Sequence, residues 1–245
     1  MENSELLKKR LSELSYRAFE RGYTTFSEFL NIDEISTLKS LKLPCSAVLF
    51  GGYEGAERCV AGFGESIDNY DFPICCLKIE PVQQKFADKL NHRDFLGSLM
   101  NLGINRNTLG DIIVINNIGY LFCLESISEY ITQNLKKVKH TTINCEALTD
   151  SIDFLIPEPE EKEIIVSSLR ADAVISSVFK LSRNEAASLF AGERIFINSK
   201  AVLKDSVLLK DNDIVSVRGK GKFIFSQKLR ETKKGRIIVT VKVYK

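Results

Sequence analysis

The chain has 245 residues, of which 44% are hydrophobic and 27% are charged, and its formal net charge is +2. This length suggests one large domain or two to three small ones, and this composition can build real hydrophobic cores. No apolar run approaches the roughly 18 to 20 residues that a membrane helix needs, and the charged N-terminal segment is unlike a secretory signal, so we expect a cytoplasmic protein with no membrane partner.

Residues 1–72 are predicted to form an N-terminal α/β region. Residues 4–43 have helical patterns, and the first predicted helix places Leu7, Leu11 and Ala18 near one face. We therefore expect two amphipathic helices before the first hairpin.

A glycine-rich turn between two apolar runs predicts a β-hairpin over residues 47–64, AVLFGGYEGAERCVAGFG. The glycines do not form a phosphate-binding loop, because the chain has neither G-x-x-x-x-G-K-[ST] here nor G-x-G-x-x-G at the start of a helix. We interpret them as turn residues that adopt positive φ.

Residues 73–155 alternate between strand and helix patterns in the order β-α-β-β-α-β, which predicts a ferredoxin-like domain with the topology of RNA-recognition modules. Tyr120 and Phe122 lie two residues apart on the third strand, on one face, where such modules stack bases on aromatic side chains. The alternative is an ordinary buried aromatic pair. Because this region has no basic excess, any RNA contact here would be local.

The positive charge is concentrated in the last third of the chain. Residues 1–163 contain 17 Lys and Arg against 25 Asp and Glu, whereas residues 164–245 contain 17 against 7. This asymmetry favours a nucleic-acid-binding part, the alternative being a basic face that only serves solubility. Between the two parts, residues 156–163, IPEPEEKE, predict a linker.

Residues 164–245 begin with two short amphipathic helices. Ser182 and Glu185 form an S-x-x-E capping box at the start of the second helix. Arg170 and Arg183 lie in the first turns, where a cation opposes the helix macrodipole. A phosphate ligand would account for both arginines, because helix N–H groups and a guanidinium can bind phosphate together.

Further cations follow the two helices. If the segment RGKGKF, residues 218–223, is extended, its three cations lie on one side, and its glycines allow a nucleic-acid backbone to approach closely. A closing hairpin is predicted around residues 233–235. The candidate RNA-binding residues are Arg170, Ser182, Arg183, Arg194, Asn198, Lys200, Arg218, Lys220 and Lys222.

The segment of residues 169–217 resembles the RNA-binding domain named after small-subunit ribosomal protein S-four. The resemblance rests on Arg170 and Asp172 at a helix start, on Ser182-Arg183, and on a Val- or Ile-rich strand that ends in asparagine. It implies an αα-β RNA-binding domain.

Two turns depart from the usual pattern of that family. Where the family usually has Asn-Gly and Gly-Asp, this chain has Asn198-Ser199 and Asn212-Asp213. Because asparagine tolerates the left-handed conformation, we expect both turns to be kept.

Three separate stretches together resemble the bacterial YlmH family: FGGYEGAER at residues 50–58, HRDFLGSLMNLGI with GDIIV within residues 92–115, and RGKGKF with ETKKGR within residues 218–236. The resemblance implies an α+β protein of three pieces: the N-terminal region, an RRM-like (RNA-recognition-like) domain and an S-four-type domain. It also implies ribosome association, with a link to rescue of stalled large subunits that carry peptidyl-tRNA.

Catalytic and metal chemistry are not expected. None of the six cysteines forms a C-x-x-C pair, and His92 and His140 stand apart from each other and from any nucleophile motif. We therefore predict free thiols, no catalytic residue, no metal, no cofactor and no small-molecule substrate.

The charge asymmetry predicts a non-catalytic, monomeric RNA-binding factor. The family resemblance implies that its partners are on the ribosome, with rRNA expected and tRNA a further candidate. A scaffold for cell-division proteins, with incidental RNA binding, is the alternative.

Overall fold

The computed structural model describes residues 2–148, 159–232 and 235–244. The chain divides into two compact units, Met1–Ile156 and Pro157–Lys245. Among the described helices, none is both long enough and apolar enough to span a membrane.

The first unit begins with two helices and three strands. Their bounds are α1 (Glu2–Arg21), β1 (Thr25–Leu30), α2 (Ile32–Ser40), β2 (Ala47–Phe50) and β3 (Cys59–Phe63). The strands form an antiparallel sheet in the order β1-β3-β2, and β2 with β3 confirms the predicted hairpin. The apolar face of α1, with Leu11 and Ala18 buried, packs in one core with Phe63.

The prediction of helix throughout residues 4–43 is wrong for Thr25–Leu30, which is strand β1. This segment pairs with β3, and its inward-facing side chains, among them Ser27 and Phe29, are buried. Alternating burial with threonine and phenylalanine is typical of a half-buried strand. Helix α2 starts only after this strand, at a capping box whose first residue is Asn31.

Five strands and two α-helices complete the described part of the first unit, which ends at residue 148. Their bounds are β4 (Ile74–Pro81), α3 (His92–Asn101), β5 (Leu109–Ile115), β6 (Ile118–Leu124), α4 (Glu125–Asn134), β7 (Lys137–Val138) and β8 (Thr141–Ala147). The predicted β-α-β-β-α-β order is present, and the strands lie antiparallel in the order β5-β6-β4-β8-β7. The sequence did not predict the two-residue strand β7.

Helices α3 and α4 cover one face of this central sheet. Leu77 and Leu121 from the sheet pack with Phe95 from α3 and Ile131 from α4 in a fully buried core. This helical layer positions the ends of α3 and α4 next to strand β7.

The N-terminal sheet covers the other face of the central sheet. Tyr120 and Phe122 are only 7% and 1% exposed and pack in one cluster with Phe29 of β1. Of the two alternatives left open for this pair, the buried pair is confirmed, and these rings are not exposed for stacking on bases. Because of this packing, the regions predicted separately as residues 1–72 and 73–155 form one compact unit.

Within its described residues, the second unit contains a six-stranded antiparallel sheet and two α-helices. The elements are β9 (Glu160–Val166), α5 (Ala171–Phe179), α6 (Arg183–Ala191), β10 (Ile195–Ile197), β11 (Lys200–Ala201), β12 (Asp213–Val217), β13 (Gly221–Glu231) and β14 (Ile237–Val243). The strand order is β11-β10-β12-β13-β14-β9. The helices pack on the sheet through a core that includes Val174, Ile175, Phe190, Val215 and Val241.

The predicted linker over residues 156–163 is wrong for its second half. Residues 160–163 belong to β9, which pairs with β14 from Glu160 opposite Val243 onward. Their charged side chains are exposed, and an edge strand tolerates such charges because its pairing uses only the backbone. Residues 156–158 lie outside the described part of the chain.

All six cysteines are free thiols, as predicted. Cys76 and Cys123 are buried and the other four are partly buried. Within the described residues, no group of three or more His, Cys, Asp and Glu side chains could hold a metal ion.

Candidate nucleic-acid interface

The start of α6 carries the predicted capping box. The Ser182 hydroxyl accepts a hydrogen bond of 3.2 Å from the Glu185 N–H, and Glu185 Oε2 accepts one of 2.8 Å from the Ser182 N–H. These bonds to Ser182 hold the pKa of Glu185 below its ordinary value. The Ser182 hydroxyl thus serves the helix start, and its role as an RNA contact stays a prediction.

Arg183 is the first residue of α6 and its side chain is exposed. Among the described residues, no hydrogen bond or ion pair engages its guanidinium. An unengaged cation beside the N–H groups of a helix start is a suitable ligand for phosphate.

Arg170 behaves differently, because acidic side chains of its own unit already bind it. Its Nε and Nη2 atoms each donate a 3.0 Å hydrogen bond to a carboxylate oxygen of Asp172. Asp205 lies 3.4 Å from Nη2, and the bond to Asp172 raises the pKa of Arg170. This ion pair gives a structural reason for an arginine at the start of α5, and an RNA contact by Arg170 stays a prediction.

Arg194 and Arg218 hold the end of β12 beside the start of β10. Arg194 Nη2 donates a 2.7 Å hydrogen bond to the Arg218 carbonyl, and the Arg218 N–H donates a 2.9 Å bond to the Arg194 carbonyl. The Arg218 guanidinium carbon lies 5.6 Å from the centre of the Phe196 ring. Both arginines remain exposed, so they can also face a ligand.

Residues 218–223 are not extended throughout, so the condition under which their three cations share one side is not met. Arg218, Gly219 and Lys220 form the turn between β12 and β13, closed by a 2.9 Å bond from the Lys220 N–H to the Val217 carbonyl. Gly219 has φ +78°, which a glycine adopts without strain. The turn separates the cations: Lys220 is exposed at its tip, whereas Lys222 lies on β13 with its ammonium 4.4 Å from the Tyr244 ring centre.

Asn198 stabilises the sheet instead of presenting a free amide. Its Nδ2 donates to Asp213 at 2.8 Å, and its Oδ1 accepts from the Ile214 N–H at 3.0 Å. Asn198 and Ser199 have φ values of +51° and +60°, so the turn expected from the left-handed tolerance of asparagine is present. Because its amide holds two strands together, a direct RNA contact by Asn198 is not supported by its geometry.

Three cations lie at or beside the β12–β13 turn, and Arg183 starts helix α6, whose first turn also contains Glu185. Arg194 and Arg218 are in direct contact, Lys220 is next in the turn, and Lys220 is close enough to Glu185 to lower the pKa of that carboxyl further. We call Arg183, Arg194, Arg218 and Lys220 the basic corner. Lys200 is exposed on β11, the edge strand next to β10.

A second concentration of cations, which the sequence interpretation missed, lies in the first unit. A cleft of about 600 Å³ lies between α3 and the stretch from the end of α4 through β7. Arg93 lines one wall and Lys136, Lys137 and Lys139 line the other. The signal in the sequence was the run KKVK in an otherwise acidic region.

Comparisons with known proteins identify the family. A family model described as "Putative RNA-binding domain in YlmH" matches residues 68–151, which include both walls of the cleft. A protein of Bacillus subtilis (strain 168) named "Ribosome-associated protein quality control protein P2" is 30% identical over 198 residues, covering 78% of this chain and 75% of that protein. This chain belongs to the YlmH family.

A solved structure of another YlmH protein supports the fold. "Cell division protein ylmH from Streptococcus pneumoniae" matches with a TM-score of 0.50 and 20% identity, over 60% of this chain and 91% of that one. At this identity the likeness concerns the mixed α+β fold alone.

Proposed function

We propose that this YlmH-family chain is a non-catalytic RNA-binding factor that associates with the ribosome. The name of the Bacillus relative supports ribosome association, and the RNA-binding family model supports RNA as the ligand. The basic second unit provides most of the RNA affinity, as an S-four-type domain would.

The observation that carries this proposal is the basic corner. Arg183 extends from the start of α6 without an intramolecular partner among the described residues. Arg194, Arg218 and Lys220 surround the adjacent turn and are exposed. Like charges placed together raise the energy of the free protein, and a polyanion that lies across them removes this cost.

The corner suits phosphates more than base edges. Guanidiniums bind phosphate oxygens in pairs, and the helix N–H groups of α6 add donors beside Arg183. Contacts of this kind position the protein on structured RNA without reading its sequence. In this proposal the protein acts in the cytoplasm as a monomer. It recognises the large subunit with its tRNA by the shape of the RNA.

Co-sedimentation with purified bacterial large ribosomal subunits tests the proposal. The wild-type chain pellets with the subunits at low salt and is released at high salt, because phosphate contacts depend steeply on ionic strength. An Arg183→Glu, Lys220→Glu variant stays in the supernatant at low salt while it keeps the wild-type melting temperature. A cell-division scaffold would not pellet at either salt concentration, and that result would overturn the proposal.

A further inference from the structure

The central sheet cannot offer its aromatic face to RNA, because the N-terminal sheet covers that face. Phe122 is 1% exposed and packs against Tyr53 with 4.9 Å between ring centres. Gly52 lies so close that an added Cβ would meet the Phe122 ring at 2.3 Å. If residues 68–151 bind RNA, they bind it through another surface.

The cleft beside α3 is the place where the cations of this region are concentrated. Residues 68–151 contain eight Lys and Arg against ten Asp and Glu. Four of the eight cations line this one cleft, together with a single acid, Asp94. A local positive potential thus lies within a region of negative net charge.

Asp94 does not cancel this potential, because it is already engaged. Its Oδ2 accepts a 2.9 Å hydrogen bond from the Asn91 N–H and pairs with the Lys139 ammonium at 3.0 Å. Desolvation opposes ionisation of Asp94, but the bonds from Lys139 and Asn91 outweigh it and lower its pKa. Arg93, Lys136 and Lys137 remain in excess over the acids that line the cleft.

Gly97 is an independent sign that the cleft is kept open. Arg93, Gly97 and Asn101 follow at four-residue intervals along α3 and all line the cleft. Glycine inside a helix costs about 0.5–1 kcal/mol relative to alanine. Apart from its chain neighbours and the backbone of its own helix, no described heavy atom lies within 4 Å of where the Gly97 Cβ would be. Packing therefore does not explain the glycine, and its missing side chain leaves the backbone of α3 accessible from the cleft.

We propose that this cleft binds the phosphate backbone of RNA and provides a second RNA contact in addition to the basic corner. The inference rests on the proposed function, because it assigns a site on the same RNA-bound factor. Ser98, Asn101 and Asn134 add hydrogen-bond donors and acceptors to the cationic walls, which suits phosphate and ribose hydroxyl groups. A protein partner would instead be anchored by large apolar or aromatic side chains, and the apolar residues that line the cleft are Leu102 and Leu135.

Three full-length variants separate charge from shape. Lys136→Glu, Lys137→Glu reverses the charge of one wall. Gly97→Leu fills the cleft with a neutral side chain at an exposed helix position. Lys85→Glu is the matched control, because Lys85 lies in the same region but over the Phe86 ring, outside the cleft. Melting temperatures establish that each variant is folded.

Affinity is measured by fluorescence anisotropy with a labelled RNA stem-loop and with labelled large ribosomal subunits, between about 50 and 200 mM salt. The lysine variant is expected to bind both probes several-fold more weakly, and the slope of log affinity against log salt becomes shallower by about 2, roughly 1 for each lost contact. Gly97→Leu is expected to weaken binding of both probes as well, and its slope becomes shallower because the leucine keeps phosphates away from the cleft cations. The Lys85→Glu control is expected to match the wild type.

Three results would overturn the inference. In the first, both cleft variants match the Lys85→Glu control. In the second, Gly97→Leu binds as the wild type does, which places the contact outside the cleft. In the third, the cleft variants bind the naked RNA normally but lose affinity for the subunit, which identifies a ribosomal protein as the occupant. If the Arg183→Glu, Lys220→Glu variant loses binding but the cleft variants do not, the cleft inference fails and the proposed function stands. If the wild-type chain binds neither probe, the proposed function itself is contradicted.

Discussion

The Tyr53 hydroxyl donates a hydrogen bond of 2.9 Å to Oδ2 of Asp111, from the turn between β2 and β3 to a strand of the central sheet. Asp111 also accepts from the N–H groups of Glu57 and Arg58. Burial, with Asp111 adding to it, raises the pKa of Tyr53. The YEGAER motif, residues 53–58, therefore links the N-terminal sheet to the central sheet through hydrogen bonds to Asp111.

The Arg58 side chain completes this attachment. It donates to the carbonyls of Leu109, Phe29 and Arg106, and burial lowers its pKa. Burial and the neighbouring Arg58 lower the pKa of Arg106 to about 10. Both guanidiniums are thus occupied in stabilising the first unit.

Tyr53→Phe is expected to reduce the free energy of unfolding by about 1.5–3 kcal/mol, since it removes a partly buried hydrogen bond to a carboxylate. Tyr130→Phe is the matched control, because its exposed hydroxyl donates to the Leu102 carbonyl at 3.2 Å, and we expect a loss below about 0.5 kcal/mol. Urea denaturation measures both. Equal losses would contradict the role given to Asp111.

Two glycine-to-alanine changes are expected to act in opposite directions. Gly52 has φ +99° and no room for a Cβ beside Phe122, so Gly52→Ala costs about 2 kcal/mol or more. Gly97→Ala is expected to gain about 0.5–1 kcal/mol, because Gly97 lies in an open helix position. A Gly97→Ala protein that is less stable than the wild type by thermal denaturation would show that packing does require this glycine.

Arg170→Ala and Arg183→Ala separate a structural arginine from a binding one. Losing the pair with Asp172 is expected to lower the melting temperature slightly, because solvent screens an exposed ion pair, and to have little effect on RNA affinity. Losing Arg183 is expected to leave stability unchanged or raised by a few tenths of a kcal/mol and to weaken RNA binding several-fold. Denaturation curves and RNA titrations check both, and the reverse order would contradict these assignments.

The capping box predicts a pH dependence of stability. The folded pKa of Glu185 lies below its ordinary value of 4.5, so its contribution is present at neutral pH and is lost as pH falls through the lowered value. Glu185→Gln keeps an acceptor for the Ser182 N–H but does not titrate. We therefore expect the wild-type chain to be the more stable at pH 7 and the difference to shrink on acidification, as measured by melting temperatures. A difference that grows on acidification would exclude this contribution.

Local signals in the sequence predicted part of the fold. The glycine-rich hairpin and the Ser182 capping box depend on neighbouring residues, and both are present. Strand β1 was missed because Thr25–Leu30 follows a strong helix pattern, and its strand state depends on pairing with β3, some thirty residues later in the chain.

The sequence predicted which part of the chain is basic, but not which partners its arginines contact. The charge asymmetry identified the second unit, and Arg183 lies where expected. Asp205, which joins the Arg170 pair, is distant in sequence, and the turn at Arg218 depends on the pairing of β12 with β13. The walls of the cleft, at Arg93 and residues 136–139, meet only because α3 and β7 pack side by side.

Crosslinking of the wild-type chain to large ribosomal subunits, followed by mass spectrometry of the RNA-linked peptides, tests the central claim most directly. We predict RNA-linked peptides from the basic corner, around Arg183 and from Arg194 to Lys220, and their loss when the crosslinking is done in high salt. Crosslinks confined to ribosomal proteins, or RNA-linked peptides that exclude the basic corner, would contradict it.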